Sequence, residues 1–198
     1  QGSYVAVAQV RMTPRPGILP MRPGFQPRDC QLQAARAFQF HAKLGTKRLL
    51  TEMVMASGKG DLIAGLLVRL AWAGKRGVFI VNRDYLCDDV YQRTMLVEPA
   101  MYAGRVQGKR NEVDRHILFA SLQTVCDEDR ARQLGHIDWI FADEGHTLLC
   151  DSGRTIIRVL EEINPALRVA AFTGTAYRAK ANGKTTGLGE LFGPEVGG

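Results

Sequence analysis

The strongest constraint on the fold of this chain is an alternation of short apolar runs with amphipathic stretches. The apolar runs that predict strands are 49–55, 77–81, 116–121, 137–142 and 167–173. Stretches with helical periodicity begin at Asp29, the expected N-cap of the first helix, and cover 31–44, 61–73, 84–96, 126–134 and 153–163. Apolar strands that alternate with helices are typical of a parallel sheet covered on both faces. The sequence therefore predicts an α/β fold with a mostly parallel sheet.

The N-terminal part of the chain has a different pattern. Residues 4–10 (YVAVAQV) predict a short strand, and residues 14–27 contain five prolines, which exclude a regular helix. We therefore expect an N-terminal strand and a proline-rich lead-in over residues 1–24, followed by one domain over 25–198, a length that suits one large domain.

Composition limits the class of protein only loosely. The net charge of +6 and the pI of about 9.4 favour a polyanionic partner, although many basic proteins bind none. The four cysteines form no CxxC pair and are expected to be reduced thiols. No apolar run reaches the roughly 18 residues of a membrane span and no signal peptide is visible, so we expect a cytoplasmic protein without a membrane partner.

The loop after the first predicted core strand has the composition of a phosphate-binding loop. It reads EMVMASGKGD over residues 52–61 and leads directly into a helix. Small residues between a strand and a helix let backbone N–H groups surround a phosphate, and a lysine such as Lys59 can reach its β- and γ-oxygens. The same segment, taken alone, is also compatible with an ordinary turn that carries a surface lysine.

A second polar element follows the strand at 137–142 and reads Asp143-Glu144-Gly145-His146. Two adjacent carboxylates at the end of a buried strand are costly unless something compensates their charge. A Mg²⁺–nucleotide would do so, because one carboxylate can hold the metal while the other polarises the attacking water. The alternative is an N-cap aspartate with neighbours that face solvent.

These elements resemble the motifs of the DEAD/DEAH-type superfamily 2 helicases, whose first RecA-like domain carries all of them in this order. The matching segments are RDCQ at 28–31 (upstream glutamine element), EMVMASGKG at 52–60 (motif I), VNRDYL at 81–86 (motif Ia), ASLQT at 120–124 (motif Ib), DEGH at 143–146 (motif II) and TGTAYR at 173–178 (motif III). The resemblance covers roughly residues 25–192 and is closest to the RadD-like and phage UvsW-like repair helicases.

The resemblance implies a RecA-like domain that uses ATP and Mg²⁺, and it implies a role for each matching residue. Asp143 would bind Mg²⁺, Glu144 would act as the general base, and Lys59 would contact the phosphates as the third catalytic residue. The remaining roles would be nucleotide binding by Arg28, Gln31, Ser57, Gly58, Gly60 and Asp61, coupling by His146, Thr173 and Thr175, and nucleic-acid contact by Arg83, Gln123, Thr124 and Arg178. Simpler alternatives are solvated charges at Arg83 and Arg178, an exposed helical Gln31, and a His146 that bonds to backbone.

The chain departs from the family pattern at three positions. Gly60 replaces the serine or threonine that ligates Mg²⁺, Ala56 replaces a glycine of the loop, and Ala176 replaces the proline of motif III. Asp61 could supply another metal ligand, but its charge would repel phosphate. No candidate for the second RecA-like domain follows motif III, so we expect weak ATP hydrolysis by this chain alone.

The sequence therefore predicts the ATP-binding domain of a helicase or translocase that acts on nucleic acid, on DNA in preference to RNA. Its partner would be a second RecA-like domain. One alternative is a degenerate module that binds nucleotide or nucleic acid without turnover. Another is the motor part of a restriction-type translocase, and the least favoured is a P-loop enzyme unrelated to helicases.

Overall fold

The computed structural model describes residues 17, 19–54, 56–99, 103–174 and 191–192. The helices are α1 (Asp29–Leu44), α2 (Lys59–Trp72), α3 (Asp84–Val97), α4 (Glu128–Gln133) and α5 (Asp151–Ile163), with a 3-10 helix at Gly145–Leu149. The strands are β1 (Arg48–Glu52), β2 (Gly77–Val81), β3 (Ala103–Gln107), β4 (Arg110–Asn111), β5 (Ile117–Ser121), β6 (Trp139–Asp143) and β7 (Arg168–Thr173). The strand expected at 4–10 and the motif III residues Thr175, Ala176 and Arg178 lie outside the described residues.

The described strands form one seven-stranded sheet in the order β1-β7-β6-β2-β5-β3-β4. Every pairing is parallel except the one between β3 and β4. The predicted α/β fold with a mostly parallel sheet is thus confirmed. Four of the five core strands lie within two residues of their predicted bounds, and β1 ends three residues earlier than predicted, at Glu52. The hairpin of β3 and β4 was not predicted, because only Gly104 and Val106 of β3 are buried and the segment lacks an apolar run.

Helices cover both faces of the sheet, and alternate strand residues face the two layers. Phe79 and Phe119 belong to the apolar cluster shared with α1, α2 and α3, whereas Val78 and Ile80 belong to the cluster shared with α4 and α5. The central strands β2 and β5 are buried along their whole length. Two-sided burial of this kind explains why the strands read as continuous apolar runs in the sequence.

The lead-in before α1 crosses directly over α2. A Cβ atom added to Gly65 would lie 2.5 Å from the carbonyl oxygen of Pro20 and 2.6 Å from Cδ1 of Leu19. Leu19 is only 6% exposed, and Arg69 bonds to the carbonyl oxygen of Gly17. Any side chain larger than hydrogen at position 65 would therefore separate the lead-in from the helix.

The start of α1 differs from the prediction that Asp29 is its N-cap. Arg28 has the extended backbone of the N-cap, and Asp29 is the first helical residue. The backbone N–H of Arg28 donates to Oε1 of Gln31 at 2.8 Å, which is one half of a capping box. Asp29 instead lies in the first turn, where a negative charge is favourable to the helix dipole.

Among the described helices, none is long and apolar enough to span a membrane.

Candidate functional site at the carboxyl edge of the sheet

The residues that the sequence singled out follow the strands at one edge of the sheet, where the carboxyl ends of parallel strands meet. The loop at 53–58 follows β1, Glu144 follows β6, and Thr173 ends β7. In the sheet order these three strands are neighbours, and β2, β5 and β3 continue the same edge on the other side. Ligands of open α/β sheets bind at this edge.

The loop before α2 has two residues in the left-handed conformation, Ala56 and Gly58. Gly58 is the N-cap of α2 and has a φ of +83°, a left-handed conformation that glycine adopts without steric cost. Ala56 also has a positive φ, +61°, which is strained for alanine and explains why glycine is usual at this position. Ser57 is 8% exposed, and its Oγ is buried without a hydrogen-bond partner. A buried hydroxyl of this kind fits an oxyanion as its missing partner.

Lys59 joins this loop to the carboxylates after β6. Its ammonium Nζ lies 3.0 Å from Oε1 of Glu144 and 3.7 Å from Oδ1 of Asp143. The lysine side chain is 15% exposed, so the three charges share a partly desolvated space. Lys59 is therefore not a surface lysine, and Asp143 does not face solvent, because the two side chains face each other.

The two carboxylates have opposite pKa shifts. Burial raises the pKa of Asp143, the charge of Glu144 adds to the effect, and the charge of Lys59 opposes it. For Glu144, burial also acts to raise the pKa, but hydrogen bonds from Lys59 and Thr173 outweigh it and lower the pKa. A pair of carboxyl groups with pKa values driven apart is the arrangement that acid–base chemistry uses.

Glu144 is held in a fixed orientation from several sides. Its φ of +62° is unusual for glutamate, and its backbone N–H donates to the carbonyl oxygen of Phe172 at 2.6 Å. Oε2 accepts a hydrogen bond from the hydroxyl of Thr173 at 2.9 Å, and Nδ1 of His146 lies 3.8 Å from the same oxygen. The hydroxyl of Thr173 and the ring of His146, both assigned to coupling, thus lie at the proposed general base.

Gln31 links α1 to the loop. It is 2% exposed, so the alternative of an exposed helical residue is wrong. Its Nε2 donates to the carbonyl oxygen of Gly58 at 2.8 Å, while Nη1 of Arg28 donates to the carbonyl oxygen of Ala56 at 2.7 Å. The Gln31 amide thus uses one donor and one acceptor to hold the start of α1 against the loop.

Asp61 does not face the carboxylates after β6. Nη1 of Arg93 lies 2.8 Å from its Oδ2, and Nε of Arg22 lies 3.2 Å from its Oδ1 at an angle that makes an ion pair rather than a hydrogen bond. The charge of Asp61 is thus compensated by two arginines. Sequence reasoning missed both of them, because they come from the lead-in and from α3 and belong to no motif.

The residues expected to contact nucleic acid follow β2 and β5. Arg83 is exposed, and its side chain has no polar partner among the described residues. Gln123 is also exposed, whereas the hydroxyl of Thr124 accepts the backbone N–H of Gly108 at 2.9 Å. That bond fixes the tip of the β3–β4 hairpin beside the loop after β5, a contact that the sequence did not indicate.

The residues present fit a bound magnesium ion. Oδ1 of Asp143 is buried and accepts no hydrogen bond, and the ammonium of Lys59 lies 3.7 Å from it. This hard oxygen is a suitable ligand for a cation that takes the place of the ammonium. Within the described part of the chain, no cluster of three or more His, Cys, Asp and Glu residues could enclose a metal. A single carboxylate is nevertheless enough for Mg²⁺, which usually keeps several waters and takes further ligands from phosphates.

Together, the sheet order and the position of these motifs define a RecA-like domain of the superfamily 2 helicase type, as the sequence predicted. A model of the family described as type III restriction enzyme, res subunit, matches residues 24–178. This match covers most of the chain, and the chain belongs to that family. Among curated proteins, no match was found.

Solved structures share the fold at low sequence identity. They include the SWI2/SNF2 ATPase core of Sulfolobus solfataricus in complex with dsDNA (TM-score 0.60, 16% identity, 79% of this chain and 33% of that chain). They also include a DEAD box protein from Methanococcus jannaschii (TM-score 0.57, 14% identity, 87% of this chain and 53% of that chain). A third is the UvsW helicase of bacteriophage T4 (TM-score 0.57, 18% identity, 88% of this chain and 61% of that chain). The chain therefore spans between a third and three fifths of the length of these proteins.

Proposed function

We propose that this domain binds ATP together with Mg²⁺ at the carboxyl edge of the sheet. The observation that carries the proposal is the position of Lys59, whose ammonium lies between Asp143 and Glu144 at the mouth of a loop with an unpartnered buried Ser57 hydroxyl. Without ligand, the charge of Lys59 is balanced by the two carboxylates. In the proposal, a nucleotide phosphate binds Lys59 and a metal ion binds Asp143, so both charges gain new partners.

The protein groups divide the work of hydrolysis in this proposal. Lys59 and the N–H groups at the start of α2 bind phosphate oxygens, and Asp143 supplies the protein ligand for Mg²⁺. The metal, when bound, neutralises charge on the phosphates. Glu144 is ionised at neutral pH, and Lys59 contributes to the lowering of its pKa. When the nucleotide takes Lys59 that contribution is lost, so Glu144 becomes a better acceptor for a proton of the attacking water. Thr173 holds the other oxygen of Glu144 in place.

We further propose that ATP turnover moves a complete protein along DNA, after a second RecA-like domain closes the site. Arg83, Gln123 and Thr124 follow strands adjacent to the nucleotide half of the edge and would bind the phosphate backbone independently of base sequence. The net charge of +6 favours such a partner, and the Sulfolobus structure with the same fold was solved with dsDNA. RNA is the less favoured substrate.

Two alternative functions are each supported by one specific observation. Gly60 lacks the metal-ligating hydroxyl, which favours a module that binds nucleotide without turnover. The matching family model is described as a subunit of a restriction enzyme, which favours a role as the motor part of a restriction-type translocase. Phosphate release by the longer protein in the presence of DNA would exclude the first, and a nuclease carboxylate cluster in the flanking sequence would support the second.

The first test is calorimetric titration of the chain with ATP and Mg²⁺, alongside Lys59→Ala. Lys75→Ala is the matched control, because Lys75 also pairs with a carboxylate, Asp138 at 3.2 Å, but precedes β2 at the opposite edge of the sheet. We expect the chain and the Lys75 variant to bind and the Lys59 variant to lose binding. Equal affinity in all three proteins would show that the nucleotide site lies elsewhere.

The nucleic-acid part of the proposal has its own test. We expect Arg83→Ala to weaken binding of a fluorescent single-stranded DNA and to reduce the slope of log affinity against log salt by about 1, as loss of one phosphate contact should. Lys75→Ala should leave that slope unchanged. An unchanged slope for the Arg83 variant would remove this edge from the DNA path.

A further inference from the structure

Arg93 reaches from α3 to the first turn of α2, next to the candidate phosphate loop. Its Nη1 lies 2.8 Å from Oδ2 of Asp61, and its Nε lies 2.8 Å from Oδ2 of Asp89 on its own helix. The side chain is 29% exposed, so it lies at the surface of the cleft rather than in the core. A guanidinium thus borders the helix turn whose N–H groups would bind phosphate.

Gly60 and Arg93 share one space. A Cβ atom added to Gly60 would lie 3.3 Å from Nε and 3.4 Å from Cδ of Arg93, a contact tight enough that the arginine would have to shift. A serine or threonine at position 60 would therefore compete with Arg93. Because glycine stands where the family has a metal-ligating hydroxyl, the guanidinium can lie against the helix at that point.

The charges and donors of this cluster leave Arg93 available for a further anion. Asp61 is already paired with Arg22 as well as with Arg93, so releasing one arginine would not leave its charge uncompensated. A guanidinium has five N–H donors. Two of the five bond to Asp61 and Asp89, and the other three have no acceptor among the described residues.

We propose that Arg93 binds phosphate oxygens of the nucleotide and replaces part of the charge neutralisation that the missing hydroxyl and its metal provide elsewhere. The inference rests on the proposed nucleotide site and specifies how that site compensates for Gly60. It gives the site a distinctive property, because binding that depends on a guanidinium depends less on Mg²⁺.

The test measures ATP affinity by calorimetry, once with Mg²⁺ and once with EDTA, for the chain and for Arg93→Gln. Arg105→Gln is the matched control, because Arg105 also bonds to a carboxylate of α3, Asp88 at 2.9 Å, but lies on β3. We expect Arg93→Gln to weaken binding in EDTA about tenfold, the effect of losing a charge-assisted contact, and Arg105→Gln to change it little.

A double variant separates a phosphate contact from mere neutralisation of Asp61. If Arg93 only compensates Asp61, removing both charges in Asp61→Asn/Arg93→Gln should restore the affinity of the unchanged chain. If Arg93 binds phosphate, the double variant should stay weak. Gly60→Ala supplies a third measurement, because its methyl group would displace Arg93, and we expect it to weaken binding in EDTA more than with Mg²⁺.

The outcomes distinguish this inference from the proposed function. Should the unchanged chain bind no ATP under either condition, the nucleotide site itself is wrong and the inference falls with it. Should Lys59→Ala abolish binding while Arg93→Gln binds like the unchanged chain, or while the double variant recovers, the nucleotide site stands and the role of Arg93 is refuted.

Discussion

Replacing Gln31 with alanine should destabilise the domain and loosen its phosphate loop. The Gln31 amide makes two hydrogen bonds of 2.8 Å, to the carbonyl oxygen of Gly58 and from the N–H of Arg28, and the residue is 2% exposed. Each bond contributes about 1 kcal/mol net, and truncation also leaves both backbone partners without their bond. We therefore expect a loss of roughly 2–3 kcal/mol in the free energy of unfolding.

The assay is urea unfolding together with thermal melting. For a domain of 150–250 residues, 1 kcal/mol corresponds to about 2–4 °C in Tm, so Gln31→Ala should lower Tm by roughly 4–12 °C. Gln33→Ala is the control, because Gln33 is exposed on the same helix and its replacement should change stability by less than about 0.5 kcal/mol. Similar Tm values for the two variants would refute this account of the link between α1 and the loop.

A double-mutant cycle makes the reasoning more specific. A Cβ atom added to Gly58 would lie 2.5 Å from Nε2 of Gln31, and Gly58 also has a φ of +83°. Gly58→Ala should therefore break the same contact from the other side. We expect the combined loss to be smaller than the sum of the two single losses, because each variant removes one shared hydrogen bond.

Three further predictions concern the same edge of the sheet. Ala56→Gly should raise the free energy of unfolding by about 0.5–1 kcal/mol in urea, because alanine is strained at a φ of +61°, whereas Ala71→Gly inside α2 should lower it. Asp143→Asn should stabilise the domain at neutral pH, since it removes a buried charge whose folded pKa is raised. That gain should shrink as pH falls through the raised pKa and vanish near the ordinary value of 3.8, where the folded aspartate is protonated. Glu144→Gln should have the opposite effect: it should destabilise the domain at neutral pH, and this loss should disappear as pH falls through the lowered pKa of Glu144. The measurement is the free energy of unfolding of both variants at a series of pH values. If the two variants depend on pH in the same way, the assigned pKa shifts are wrong.

Much of this fold could be predicted from the sequence because burial on both faces leaves apolar runs with sharp ends. The strand at Gly77–Val81 has its predicted bounds for that reason. The short strand at Arg110–Asn111 could not be predicted, since both residues are exposed and pair only through backbone. The placement of Asp29 as N-cap was wrong because a bond from the Arg28 backbone to Gln31 moved the helix start by one residue.

The candidate site divides in the same way. The proximity of Lys59 to the carboxylates after β6 could be predicted, because motif residues at the ends of neighbouring parallel strands must meet. The pairing of Asp61 with Arg22 and Arg93 could not, since it depends on how α3 and the lead-in lie against α2. Contacts set by packing between helices leave no periodic signal in the sequence.

The crossing of the lead-in over Gly65 has a consequence for where the folded unit starts. Similarity to the family begins at residue 24, yet Leu19 and Pro20 are already in contact with α2. A chain shortened to residue 24 would keep every described motif, but it would uncover Gly65 on the helix that carries Lys59 and would lose the pairing of Arg22 with Asp61. The packed structure thus begins earlier in the chain than the family match, and its first part is a lead-in that belongs to none of the motifs.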